Sequence, residues 1–91
     1  MTYAIAMYDI ASNRRRARVS DLLLDFGPRV QQSVFELDVT HDRDLETLRS
    51  NIANLIDLSE DQVRLYQLPP ATRPIILGSH TLQERIPYLI L

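Results

Sequence analysis

The sequence predicts an α+β protein, a sandwich of the ferredoxin-like kind in which two helices cover one face of a mainly antiparallel sheet. Two segments carry apolar residues at helical spacing, the other apolar segments are short or alternate like strands, and the order is β-α-β-α-β-β-β. The chain has 91 residues, the size of one domain. We therefore expect a single domain over residues 1–91, with 68–91 as a C-terminal extension that carries a dimerisation strand.

The first strand is predicted over residues 2–9, which are almost continuously apolar. Tyr3, Ile5 and Met7 share one of its faces, and a strand without polar alternation is usually covered on both faces. Two helices can cover only one face of a small sheet. A second copy of the chain is therefore expected to cover the other face, which makes the protein a homodimer.

The first helix follows a cap at Ser12 or Asn13 and ends at Gly27-Pro28. Its apolar stripe consists of Val19, Leu22, Leu23 and Phe26.

The remaining elements are a strand region at 29–39, a second helix, strands at 62–68 and 75–77, and a last apolar segment at 86–91. The alternation breaks near Ser33, so 29–39 is either one bent strand or two short ones. Thr40 or Asp42 is the expected cap of the second helix. Residues 86–91 are expected to add to a sheet edge, either in the partner or in the same chain. The stripe of the second helix is Leu45, Leu48, Ile52, Leu55 and Ile56.

Composition excludes several classes of protein. Without cysteine there are no disulfides, thiol nucleophiles or thiolate metal sites. No apolar run reaches the length of a membrane span, and no export signal is recognisable, so we expect a cytoplasmic protein without a membrane partner. The net charge of −2 argues against general attraction to nucleic acid.

The distribution of charge is more informative than its sum. Residues 1–35 carry five Arg against three Asp, a charge of +2, whereas residues 36–91 carry five Arg against nine acids, a charge of −4. Cations are disfavoured at the start of a helix, and a bound phosphate would resolve that conflict. The alternative is a solvated basic turn offset by Asp21 and Asp25. The four arginines that open the first helix are Arg14, Arg15, Arg16 and Arg18.

Asp9 closes the first strand, five residues before the first of these arginines. A single carboxylate binds Mg²⁺ poorly, so Asp9 is either a turn residue or one half of a shared site. In a twofold dimer, Asp9 of each chain could face one metal ion, which would polarise a phosphodiester.

Four segments resemble a known family. They are residues 8–10 (YDI), the pair Arg16 and Arg18, Gly27 followed by residues 29–36 (RVQQSVFE), and residues 61–68 (DQVRLYQL). In this order they resemble the small CRISPR-associated adaptation protein, the second core protein of CRISPR loci, which is also called an endoribonuclease. The turn Ala11-Ser12-Asn13 departs from many members, which carry acidic residues there.

The resemblance implies spacer acquisition in CRISPR adaptive immunity, by a homodimer that lies along duplex DNA and bridges integrase subunits. It also implies nuclease activity on RNA or DNA that depends on Mg²⁺ or another divalent cation, although one acid per chain leaves it open whether this chain is an enzyme. Asp9 is the implied catalytic and metal-binding residue. The other implied positions are Tyr8, Arg16, Arg18, Arg29 and Phe35, which join the helix-start residues Arg14 and Arg15 in the predicted site.

The residues themselves leave other readings open. Arg29 contacts either phosphate or the end of the first helix, Phe35 is more often a core residue than a platform for a base, and Tyr8 is expected to pack inward. His41 and His80 are expected on the surface.

The alternative function is a ferredoxin-like regulatory or toxin-like ribonuclease dimer outside CRISPR adaptation. The acidic turn of Asp57, Glu60 and Asp61 is either solvated or a contact for basic residues of a partner.

Overall fold

The computed structural model of the chain describes residues 3–39 and 41–78, apart from the side chains of Asp42 and Arg43. It has the predicted α+β architecture, a four-stranded sheet with two helices. The elements are β1 (Tyr3–Asp9), α1 (Asn13–Leu24), β2 (Arg29–Gln31), β3 (Val34–Asp38), α2 (Asp42–Leu55) and β4 (Gln62–Gln67).

The strand order in the sheet is β2-β3-β1-β4, and each neighbouring pair is antiparallel. β1 therefore lies in the interior of the sheet, between β3 and β4. Ala6 pairs with Phe35 on one side and with Leu65 on the other. Edge pairing does not cover side chains, however: one face of β1 is buried in the core, whereas Tyr3, Ile5 and Met7 on the other face are only partly buried.

The core lies between one face of the sheet and the helices. Alternate residues of β1 are buried on that face, and the predicted helical stripes supply the opposite wall with Val19, Leu23, Leu48 and Ile52. The sheet contributes Ala4, Ala6, Tyr8, Phe35 and Leu37. The prediction of both stripes is confirmed.

The helix caps are partly as predicted. Ser12 caps α1, and its hydroxyl accepts from the Arg15 N–H at 3.2 Å. The prediction for α2 was wrong, because His41 occupies the N-cap position. There the His41 N–H donates to the Asp44 carboxylate at 3.3 Å, so the acid in the first turn satisfies the backbone at the cap.

The structure tests the strand predictions for residues 29–39 and 75–77, but not the one for 86–91. The region 29–39 forms two strands with a tight turn at 32–33. The predicted strand at 75–77 was wrong: Ile75, Ile76 and Leu77 are 92%, 72% and 91% exposed and have no strand conformation. Pro74 before them lacks an N–H, and no described strand pairs with their backbone. The segment 86–91 and His80 lie outside the described residues.

None of the described helices has the length and apolar character that crossing a membrane requires.

Candidate nucleic-acid interface

Asp9 and Tyr8 leave the end of β1 on opposite faces of the sheet. Asp9 is exposed and borders a groove of about 300 Å³ with Met7, Val34 and Arg64. Tyr8 is 9% exposed and points into the core, as predicted from the alternation. The two residues of the motif therefore have different roles, one available to a ligand and the other packed.

Phe35 is fully buried and supports two residues of the predicted site. Its ring centroid lies 6.1 Å from that of Tyr8. The Arg29 guanidinium lies over the same ring, with its central carbon 5.4 Å from the centroid, a favourable cation–π contact. Phe35 is therefore a core residue and cannot stack on a base without unfolding of the sheet.

Arg29 is held in place from two sides. Besides the Phe35 ring, its Nη2 donates to the hydroxyl of Ser20, a buried residue in the middle of α1. The sequence left open whether Arg29 contacts phosphate or the end of the first helix; its hydrogen bond to Ser20 places it beside the middle of α1 rather than at the helix end. Its cation thus borders the surface between α1 and β2.

Arg16 is also held in place. Its Nη1 donates to the Ile10 carbonyl at 2.6 Å and its Nη2 to the Asn13 side chain. The carbonyl of Ile10 belongs to the connection between β1 and α1, so this arginine is fixed next to the strand end that carries Asp9.

Arg16 and Arg29 border one groove of about 330 Å³, which we call the arginine groove. An adjoining concavity of about 260 Å³ is bordered by Asp9, Arg16 and Gln32 and joins the arginine groove to the end of β1. Two fixed guanidinium groups in a groove that the Gln32 amide also lines suit a phosphate, because both guanidinium and amide N–H groups donate to its oxygens. The arginine groove is further lined by Tyr8, Asn13, Ala17, Ser20, Asp21 and Gln32.

Arg14 and Arg18 lie one turn apart on α1 and are exposed. No hydrogen bond or ion pair with another described residue is recorded for either side chain. They extend the positive surface of the arginine groove along the outside of α1.

Arg15 differs from the other helix-start arginines. Its Nε lies 2.7 Å from the Asp61 carboxylate and its Nη2 lies 3.0 Å from the Glu60 carboxylate. The hydrogen bond to Asp61 raises the pKa of Arg15, and the same bond holds the pKa of Asp61 well below its usual value. Arg15 thus neutralises the acidic turn before β4, on a different side of α1 from the arginine groove.

Asp61 is the residue that the sequence reasoning misjudged. Both readings of the acidic turn were wrong for it, because its side chain is fully buried. Its carboxylate accepts from the backbone N–H of Ala11 at 3.0 Å and of Asp57 at 2.9 Å, as well as from Arg15. Asp61 therefore fastens the turn before β4 to the connection between Asp9 and α1. Nothing local in the sequence marks the contacts with Ala11 and Arg15, since these partners lie 50 and 46 residues away.

The rest of the acidic turn is organised locally. The hydrogen bond from the Ser59 hydroxyl lowers the pKa of Asp57, and Glu60 remains exposed.

Asp9 is a single carboxylate within its own chain. Among the residues whose side chains are described, no three His, Cys, Asp or Glu groups lie together as a metal site. Of the described residues, Asp9 is the one carboxylate that borders the two concavities at the end of β1.

Fold and surface together define a small ferredoxin-like protein with a groove between α1 and β2 that Arg16 and Arg29 border. The family model of the CRISPR associated protein Cas2 matches residues 1–73, and the chain belongs to that family.

Individual relatives agree with this assignment. The chain is 43% identical over 82 residues to the CRISPR-associated endonuclease Cas2 2 of Thermus thermophilus, an alignment that covers 90% of this chain and 87% of that protein. It is similar to the crystal structure of Streptococcus pyogenes Cas2, with a TM-score of 0.72, 30% identity, and coverage of 84% and 99% of the two chains. It is also similar to a chain of a partial Cas6-RT-Cas1–Cas2 complex, with a TM-score of 0.67, 30% identity, and coverage of 82% and 91%.

Proposed function

We propose that this chain acts in the spacer-acquisition step of CRISPR adaptive immunity, as a homodimer that binds duplex DNA and bridges integrase subunits. The observation that carries the proposal is the pair of fixed cations, Arg16 and Arg29, on one groove beside the exposed Arg14 and Arg18. A row of cations along a helix suits a phosphate backbone that passes across it better than a single small anion.

The comparisons support the same role. The similar chain from a complex that contains Cas1 and Cas2 makes Cas1 the expected integrase partner. Family membership also disfavours the alternative of a regulatory or toxin-like dimer outside CRISPR adaptation.

Arg16→Ala is the first test of DNA binding. We expect weaker binding of duplex DNA for all sequences, with the slope of log affinity against log salt reduced by about one for each phosphate contact removed. Arg49→Ala is the matched control, because Arg49 is an exposed arginine on α2 paired only with Glu46 among the described residues. Fluorescence anisotropy over a salt series measures both. Equal affinities of the Arg16→Ala variant and the parent at every salt concentration would contradict the proposal.

A second activity, metal-dependent cleavage of a phosphodiester, is favoured by the position of Asp9. The concavity that Asp9 and Arg16 share places an exposed carboxylate beside a phosphate-binding cation. Two copies of Asp9 facing each other would supply two oxygen ligands for Mg²⁺ or another divalent cation. When bound, such an ion polarises a phosphodiester and lowers the pKa of a bound water. Within this chain, Asp9 would hold the ion and Arg16 would hold the phosphate next to it.

Asp9→Ala separates the two activities. If Asp9 serves only cleavage, the variant loses metal-dependent cleavage of RNA and DNA, at least about a hundredfold for loss of a metal ligand. Its dimer, its duplex binding and its spacer acquisition should remain those of the parent. Asp25→Ala, which removes an exposed acid at the other end of α1, is the control. Unchanged cleavage by the Asp9→Ala variant would refute the nuclease assignment, and loss of acquisition without loss of DNA binding would refute a purely architectural role.

A further inference from the structure

Ser20 is a buried polar residue in the middle of α1. It is 5% exposed and directly follows the core residue Val19. A buried hydroxyl needs a hydrogen-bond partner, and the hydroxyl of Ser20 accepts from Nη2 of Arg29. Both residues border the arginine groove. The hydroxyl of Ser20 therefore links α1 to one of the two fixed cations of the groove.

Arg29 lies on the face of the sheet that packs against α1. It pairs directly with Phe35 across β2 and β3, and side chains directly opposite each other on neighbouring strands share a face of the sheet. The central carbon of the guanidinium lies 5.4 Å from the centroid of the Phe35 ring, and its Nη2 reaches the hydroxyl of Ser20. Arg29 is only partly exposed in this position. Contacts on two sides therefore leave its side chain little rotamer freedom.

The two groups that hold Arg29 are neutral. Among the described residues, no carboxylate lies within ion-pair distance of Arg29, although Asp21 borders the same groove. Arg15 shows the contrast, because it is paired with the carboxylates of Asp61 and Glu60. An arginine paired with carboxylates is fixed but neutralised. One held by a hydroxyl and the face of an aromatic ring is fixed and keeps its charge for an incoming anion.

We propose that Ser20 is a positioning residue for nucleic-acid binding, whose hydroxyl orders the Arg29 guanidinium in the arginine groove without neutralising it. The inference rests on the binding of duplex DNA proposed above, and it gives Ser20 a role that acts through Arg29. An arginine that is free in solution loses rotamer freedom when it binds a phosphate, at a cost of about two- to tenfold in affinity. Because the contact with Ser20 imposes this order in the folded chain, the guanidinium is in place before a phosphate arrives.

Ser20→Ala removes the hydroxyl and retains the charge of Arg29. We expect the affinity for a short DNA duplex to fall about two- to tenfold. The slope of log affinity against log salt should stay that of the parent, because no phosphate contact is removed. Arg29→Ala, by contrast, should reduce the slope by about one. Fluorescence anisotropy over a salt series measures affinity and slope, and Ser50→Ala, at an exposed position of α2, is the matched control.

The double variant Ser20→Ala/Arg29→Ala separates positioning from a general effect on the fold. If Ser20 acts through Arg29, removing the hydroxyl has no further effect once the guanidinium is absent, so the double variant should bind like Arg29→Ala. A defect in the packing of α1 would instead weaken binding by the same factor in both backgrounds. Alanine is favourable inside a helix, so we expect every variant to be folded at the temperature of the assay, which thermal unfolding checks.

An affinity of Ser20→Ala equal to that of the parent would overturn the inference, and so would an equal loss in both backgrounds. A Ser20→Ala variant that does not fold would also overturn it, because the hydroxyl would then serve the fold. An Arg29→Ala variant that binds like the parent would overturn it as well. In each of these cases, weaker binding by Arg16→Ala leaves the proposed function standing. A parent chain that does not bind the duplex would refute the proposed function and the inference together.

Discussion

Replacing Gly27 with alanine is expected to destabilise the folded chain strongly. A Cβ atom at this position would lie 1.8 Å from the carbonyl oxygen of Glu36, 2.8 Å from its carbonyl carbon and 3.0 Å from the Cα of Leu37. All three are backbone atoms of β3, which cannot rotate aside as a side chain can. The substitution therefore requires the turn between α1 and β2 to move away from the sheet.

The contacts on both sides of Gly27 prevent that movement. The Asp38 N–H donates to the Phe26 carbonyl at 2.8 Å, and the Glu36 N–H donates to the Pro28 carbonyl at 3.1 Å. Moving the turn would break these bonds and displace Arg29, the next residue, from the Phe35 ring. We expect a loss on the order of 3 kcal/mol, at the upper end of the cost of overpacking.

Thermal unfolding of the Gly27→Ala variant followed by circular dichroism tests this expectation. In a domain of this size the loss corresponds to a melting temperature lower by roughly 10–25 °C. Ser50→Ala, at an exposed position of α2, is the control and should melt with the parent. A Gly27→Ala variant that melts together with the parent would show that the turn does not approach β3 this closely.

Asp61→Ala is expected to have the second-largest effect. It removes the acceptor of the Ala11 and Asp57 N–H groups and of the Arg15 guanidinium, and leaves these donors unpaired around a fully buried position. We expect the melting temperature to fall on the order of 10 °C or more. Glu60→Ala, which removes only the exposed partner of Arg15, should change it little. Similar melting of the Asp61→Ala and Glu60→Ala variants would refute this role of Asp61.

Asp61 also makes the stability depend on pH. Arg15 lowers the pKa of Asp61 in the folded chain, whereas in the unfolded chain an aspartate titrates at about 3.9. The unfolded state therefore takes up the proton first as the pH falls. The stabilisation is present above about pH 4 and is lost progressively below it. Urea unfolding at neutral and acidic pH should show a smaller acid-induced loss in Asp61→Ala than in the parent.

Much of the fold follows from local sequence patterns. The helical stripes and the cap at Ser12 are set by residues within one or two turns of each other, and they occur as predicted. The end of α1 was predicted less closely: the helix ends at Leu24 with Asp25 as its C-cap, three residues before the expected stop at Gly27-Pro28. The strand predicted at 75–77 was wrong because a strand depends on a distant part of the chain. Its backbone needs a neighbouring strand, and apolar composition alone cannot show whether one is present.

The candidate site was predictable in its residue types but not in its arrangement. Charge and helix position identify the arginines, yet they cannot show that Arg15 turns to Asp61 while Arg16 turns to the Ile10 carbonyl. These choices depend on the approach of β4 to the start of α1, which brings together residues about 45 apart in sequence. For the same reason, Ser20 as the partner of Arg29 could not be foreseen.

The central claim is that two chains together present their arginine grooves as one surface for duplex DNA. Sedimentation velocity of the chain mixed with a short blunt duplex, in excess DNA, tests it most directly. We predict a complex heavier than the duplex by two chains, twice 10.5 kDa, which the double variant Arg16→Ala/Arg29→Ala fails to form although it still dimerises. A complex heavier than the duplex by only one chain would contradict the account. So would a parent that dimerises but does not bind the duplex.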